Sequence, residues 1–224
     1  MTETDAPGSL VDRRSRGLLV AAALLVVGTV VLVVVFGVQR PPSLSTLADD
    51  PADGPSAAVA WMAWERGEAC VGVARPSGVV AAPWCSPAGG EVVRFSGDEI
   101  VVRTWEAGER LRTIDLDDGR PTGWLPAEDD LAVDPVPDAV WPERDDSSLT
   151  LREIGSDAVL WRVEAPERYT IDSSAHSPDG AWILMVDSAG RLLVVPADGS
   201  GPPRVWAEDV PAWPVPVWED ATAG

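Results

Sequence analysis

Hydrophobic positions follow two regimes along the chain. Residues Gly17–Val38 read GLLVAAALLVVGTVVLVVVFGV, without one charged side chain. A helix of that length, at 1.5 Å per residue, reaches about 33 Å, enough for a bilayer core of roughly 30 Å. A helix also satisfies its own backbone polar groups in lipid. From residue 56 onward the pattern changes to short apolar runs separated by Gly, Pro, Ser and Asp, and no segment sustains a 3.6-residue apolar period. The pattern predicts one transmembrane helix over 17–38 and an all-β domain over 56–218.

Charge flanking the apolar run orients it. Arg13, Arg14 and Arg16 precede it and only Arg40 follows closely. The positive-inside rule therefore expects a cytoplasmic tail over 1–16 and an extracytoplasmic main domain. The run exceeds a signal-peptide core, and Val35–Arg40 offers no small-residue cleavage site, so the helix is expected to stay as an anchor. No cysteine lies near it to carry a lipid. Residues 39–55, rich in Pro, Asp and Ser, predict a stiff linker, and residues 219–224 a short tail.

Within the domain the pattern repeats. Val59–Gly78 (VAWMAWERGEACVGVARPSG) aligns without a gap on Ile100–Gly119 (IVVRTWEAGERLRTIDLDDG), and Trp64-Glu65-x-Gly67-Glu68 falls on Trp105-Glu106-x-Gly108-Glu109. Leu149–Glu164 and Ile183–Gly199 are looser copies. Each copy is an apolar β-rich run, a tight turn, and a second such run, which is a hairpin signature. The turns at Arg66-Gly67, Ala107-Gly108, Gly155-Ser156 and Ala189-Gly190 place Gly where positive φ is reached without strain. A second turn motif precedes the last copy: His176-Ser177-Pro178-Asp179-Gly180 leads into an apolar strand, with echoes at Phe95–Asp98, Trp141–Asp146 and Pro51–Gly54.

Ser177, Pro178, Asp179, Gly180, Gly190, Leu192, Asp198 and Gly199 fill the core pattern of a TolB-type, WD40-like (PD40) β-propeller repeat, so His176–Pro202 resembles one such repeat. The resemblance implies four-stranded blades, about four of them between residues 56 and 207, in a small β-propeller-like domain. The third copy starts only 34 residues before the fourth, which leaves it short of room for a fourth strand. Val210–Pro214 resembles Val140-Trp141-Pro142 and is expected to supply the missing inner strand of the first blade.

Composition narrows the function. The chain has no Lys and no Asn, and all 17 basic residues are Arg, a usage that points to a bacterium with a GC-rich genome. Residues 41–224 carry 33 acids against 13 Arg, a field that repels nucleic acid. The single histidine, His176, lies in a turn motif. With no Lys, G-x-S-x-G, P-loop, G-x-G-x-x-G or H-E-x-x-H, no catalytic, cofactor or metal site is expected. Asp115-Leu116-Asp117-Asp118-Gly119 looks like the start of a calcium loop, but Pro126 stands where the twelfth-position Glu would be, so it reads as a hairpin turn. Trp64, Trp105 and Trp182 are expected in the core, while Trp206, Trp213 and Trp218 suit either strand closure or a partner surface.

Cys70 and Cys85 are the only cysteines. A strand returning from the turn Arg75–Gly78, centred between Ser77 and Gly78, sets residue 85 opposite residue 70, so an extracytoplasmic disulfide is predicted. Together these features predict a non-enzymatic, membrane-tethered interaction or sensor domain of the bacterial envelope, with a protein partner and an unspecified ligand. The alternatives are an envelope carbohydrate hydrolase or lyase working through surface carboxylates, and a structural accessory subunit of an envelope complex.

Overall fold

The computed structural model describes residues 40–49, 51–76, 78–80, 84–105, 110–125, 137–213 and 215–219. The predicted cytoplasmic tail and transmembrane helix lie outside them. Among the described residues no helix is long and apolar enough to cross a membrane. Apart from two single 3₁₀ turns, Leu47–Asp49 and Pro51–Asp53, the elements are strands, as the turn-punctuated pattern predicts.

The strands form four antiparallel sheets in chain order. Sheet 1 holds β1 (Val59–Glu65), β2 (Glu68–Arg75), β3 (Gly78–Val80), β4 (Cys85–Ser86) and the C-terminal β16 (Val217–Trp218). Sheet 2 is the meander β5 (Gly90–Ser96), β6 (Glu99–Thr104), β7 (Arg110–Asp115) and β8 (Pro121–Leu125). Sheet 3 has, among the described residues, three strands, β9 (Val140–Asp145), β10 (Ser148–Glu153) and β11 (Val159–Glu164), in line with the short spacing of the third copy. Sheet 4 is the meander β12 (Ile171–His176), β13 (Trp182–Asp187), β14 (Leu192–Pro196) and β15 (Arg204–Ala207).

Near-continuous apolar strands are buried on both faces, and their period of two sorts residues between neighbouring sheets. Ala60 and Met62 of β1 pack with Ile100, Val102 and Ile114 of sheet 2. Val59, Trp61 and Ala63 of the same strand pack with Leu184, Val186 and Leu192 of sheet 4. Ile183 and Met185, on the far face of β13, join Leu149, Leu151 and Leu160 of sheet 3. Gly72 sits directly across from Trp61, and a Cβ there would lie 2.5 Å from the indole, so the strand keeps a glycine to seat the ring. The far face of sheet 2 gathers Val93, Val101 and Leu111 in a smaller cluster that draws on no other sheet among the described residues.

The first hairpin turn has Arg66 at φ 50° and Gly67 at φ 93°, both on the positive side that a two-residue type I′ turn requires. In the Ser-Pro-Asp-Gly turn, Ser177 Oγ accepts from the Trp182 amide and Asp179 accepts from the Ala181 amide. Trp141–Asp146 differs from its reading as a turn: all but its last residue lies in strand β9, an edge strand, where Pro142 lacks only an outward-facing donor.

Two further segments sit where side-chain and backbone pairing put them. The predicted linker, in its described part, runs along sheet 4. The Val205 amide donates to Ser45 O, Arg191 donates to Pro42 O, and Leu47 enters the core. Arg191 also pairs with the fully buried Asp187, which accepts the Tyr169 hydroxyl; burial, then Asp187, hold that phenol well above its ordinary pKa. The strand added to sheet 1 from the C-terminus is Val217–Trp218, not Val210–Pro214. Val59 faces Trp218 and Ala60 faces Val217. Two of the five residues at 210–214 are prolines with no amide to donate to a ladder, whereas Val217-Trp218 is free of them. Val210 instead is buried, its amide donating to Gly190 O.

Candidate functional site: an exposed tryptophan cluster

Sheet 1 and sheet 2 share a core that runs out at one end into indole rings. Along β1 the residues facing sheet 2 are Ala60, Met62 and then Trp64, one turn's reach before the hairpin tip. Along β6 they are Ile100, Val102 and Thr104, with Trp105 next in the chain, its amide donating to Gly89 O. Trp64 is 60% exposed and Trp105 43% exposed, which corrects their assignment to the core. The reason is positional: the W-E-x-G-E motif puts each Trp at a strand end, past the last layer of packed side chains. Trp182, the third of that group, is half-buried against the sheet 1–sheet 4 core.

Gly89 fixes the pair. It is itself buried and has φ 82°, a conformation glycine takes without strain. A Cβ there would lie 2.8 Å from Trp105 Cε3 and 3.0 Å from Trp64 Cζ2. Both rings thus close over one glycine, with their edges no further apart than those two distances combined. Any side chain at 89 would force them apart.

A cationic layer borders the pair on β7. Register places Arg110 opposite Thr104 and Arg112 opposite both Val102 and Trp124, so all share the face turned toward sheet 1. The Arg112 guanidinium lies 4.2 Å from the Trp124 ring centroid and 5.8 Å from that of Trp84, and Arg110 lies 5.6 Å from Trp124. Trp84 directly precedes β4 of sheet 1 and Trp124 lies in β8 of sheet 2, so Arg112 links the margins of the two sheets by cation–π contact. Its buried Nε has no hydrogen-bond partner among the described residues. Trp124 is 45% exposed. Glu65, Arg66 and Glu68 at the hairpin tip, and Arg110, are exposed. The cluster therefore combines flat apolar faces with acceptors and donors of both charges.

The predicted disulfide is present. Cys70 pairs with Cys85 across β2 and β4, with Cα atoms 4.0 Å apart. The Val71 amide donates to Trp84 O, which makes 70–85 the neighbouring non-hydrogen-bonded pair, where side chains approach most closely. Its route differs from a single continuous register. Near the turn Arg75 faces Gly78, and two extra residues enter the returning chain between Val80 and Trp84 before Cys70 meets Cys85. The bridge anchors Trp84 beside Arg112.

The other singled-out residues lie elsewhere. His176 is exposed at the end of β12. In the Asp115–Gly119 turn, Asp115 Oδ1 accepts from the amides of Asp117 and Asp118, the bonding of a β7–β8 hairpin turn. Trp206 and Trp218 are buried together, with ring centroids 5.9 Å apart, while Trp213 is 69% exposed. An open depression beside the Ser-Pro-Asp-Gly turn is lined by Trp182, Asp198, Ser200 and Arg204.

No protein-family profile and no curated protein matches this chain. Among solved structures it is similar to BamB from Moraxella catarrhalis, at 15% identity and a TM-score of 0.21, over 61% of this chain and 45% of that one. It is also similar to Hsv2 from Kluyveromyces lactis, at 11% identity and a TM-score of 0.19, over 61% of this chain and 47% of that one. The chain matches less than half the length of either protein, and at these TM-scores neither likeness carries an argument. What the chain itself presents is an all-β domain of four antiparallel sheets with a disulfide in the first and a tryptophan–arginine cluster between the first two.

Proposed function

We propose that this chain is a membrane-tethered, extracytoplasmic interaction domain of a bacterial envelope. It folds as a small β-propeller-like stack of four blades and engages another envelope component through the tryptophan cluster between its first two blades. The observation that carries the docking role is the exposed Trp64–Trp105 pair held over Gly89. Exposed, clustered indoles forgo the burial that stabilises a fold, and Trp is the residue type most enriched where partners dock. The blade reading is supported by consecutive antiparallel sheets packed face to face and by a C-terminal strand that joins the first of them. The tether rests on the charge-free run 17–38 and the arginines before it.

A C–H-inserting photo-crosslinker in place of Arg66, beside Trp64, is expected to trap an envelope component in living cells. The same group in place of Ser200, on the β14–β15 loop, is not. Equal trapping at both positions, or at neither, contradicts the docking role. The topology is tested separately: an alkaline-phosphatase fusion after Gly224 should be active, and an inactive one contradicts the orientation.

A further inference from the structure

We infer that the Trp64–Trp105 pair is a platform for a pyranose chain, so that the partner is an envelope polysaccharide held without cleavage. This rests on the docking role proposed above and names its ligand. The two indoles approach each other over a glycine, and both are exposed to water. Flat π-faces of that kind stack on the C–H-rich faces of sugar rings, which are apolar while their rims carry hydroxyls.

The surroundings decide between ligand classes. Glu65 and Glu68 offer acceptors, while Arg66 and Arg110 offer donors. Neither arginine holds an ion pair among the described residues. A basic peptide stacked on the indoles would meet Arg66, Arg110 and Arg112. An acidic one would meet Glu65, Glu68 and the excess of 33 acids over 13 arginines in residues 41–224. A purely apolar segment would strip water from charges of both signs without pairing them. A neutral polyol satisfies every group, because each hydroxyl both donates and accepts. Trp124, packed under Arg110 and Arg112 on the face of sheet 2 turned toward sheet 1, adds a further partly exposed indole to that face.

The test uses the full chain in detergent micelles and the polysaccharide of the source's own envelope, freed of protein by exhaustive proteolysis and of lipid by extraction. Wild type should sediment with this material, and periodate cleavage of its vicinal diols should abolish binding. W64A/W105A should bind about tenfold more weakly or worse, as for loss of a stacking hot spot. Gly89→Val, which parts the rings, should weaken binding in the same direction. Trp213→Ala, which removes an equally exposed indole elsewhere, should bind as wild type does. Wild type failing to sediment, or W64A/W105A binding as well as wild type, overturns the inference. If sedimentation fails while the crosslinker at position 66 still traps a protein, the polysaccharide is wrong and the docking role stands. If both fail, both are wrong.

Discussion

Sheet 1 is buried on both faces, and its two junctions end differently. Toward sheet 4, Trp61 is seated on Gly72, Trp206 packs against Trp218 with the rings tilted, and Leu47 and Val210 fill the margin from two chain segments that are not part of either sheet's meander. Toward sheet 2, the layers Ala60–Ile100 and Met62–Val102 give way to Trp64 and Trp105 in contact with water. Tryptophan appears at both ends, so residue type does not set the outcome. What differs is whether another segment arrives to cover the ring. One junction spends its indoles on stability and the other leaves them available to a ligand.

The largest effect should come from the covered side. Trp206→Ala removes a buried ring and its contact with Trp218, and is expected to cost about 3–5 kcal/mol, read by denaturant melts of the full chain in micelles. A cost near that of a surface substitution would erase the contrast between the junctions.

Next comes the disulfide, which holds the outer edge of sheet 1 where Trp84 meets Arg112. Opening it by paired Cys70→Ser and Cys85→Ser substitutions should cost roughly 3 kcal/mol at most, the chain-entropy value for so short a loop. The loss should loosen the open junction first, seen as faster hydrogen exchange in β2 and β4 than in β13. Uniform loosening would argue against a local role. Mass spectrometry of the non-reduced protein should find the linked peptide pair, and two alkylatable thiols would rule the bridge out.

Trp64→Ala and Trp105→Ala should each cost under about 1 kcal/mol, since about half of each residue is in water already. For a domain of this size that is a shift of about 2–4 °C in melting temperature. A larger loss would make the pair part of the core.

The smallest effect is one of pH on the covered side. The Ser177 hydroxyl, and after it the Ala181 amide, hold the Asp179 carboxyl below its ordinary range. A depressed carboxyl contributes stability above its unfolded pKa and loses it as pH falls through the folded one. Asp179→Asn should therefore flatten the acid limb of the melting curve slightly, because the group is exposed and its interactions are screened. An unchanged acid limb would show that the turn is held by Ser177 and Gly180 alone.

Most of the fold was legible because it rests on local signals. Apolar runs, turn glycines and the 41-residue offset placed four hairpins, and the short third interval foretold a sheet of three strands. The Cys70–Cys85 pair was read correctly but its register at the turn was not: counting assumed a centre between Ser77 and Gly78, whereas Arg75 faces Gly78 and the register has stepped by two where Cys70 faces Cys85. The misreadings share a physical cause. Val210–Pro214 and Val217–Trp218 are both short apolar segments, and which one pairs with β1 depends on where the chain can donate hydrogen bonds. Trp64 and Trp105 carry the strongest repeat motif, which suggested core; burial depends on what packs over them, and nothing local encodes that. The signal that was present is their place at strand ends, Trp64 one residue before the end of β1 and Trp105 just past the end of β6.

The proposed docking role requires the open junction to be a binding surface rather than a poorly covered core. The direct measurement is binding of W64A/W105A, full chain in micelles, to whole isolated envelopes, with its melting temperature taken on the same sample. The prediction is a fall in binding of about tenfold or more at a melting temperature within a few degrees of wild type. Unchanged binding, or a loss that tracks unfolding as in Trp206→Ala, would contradict it.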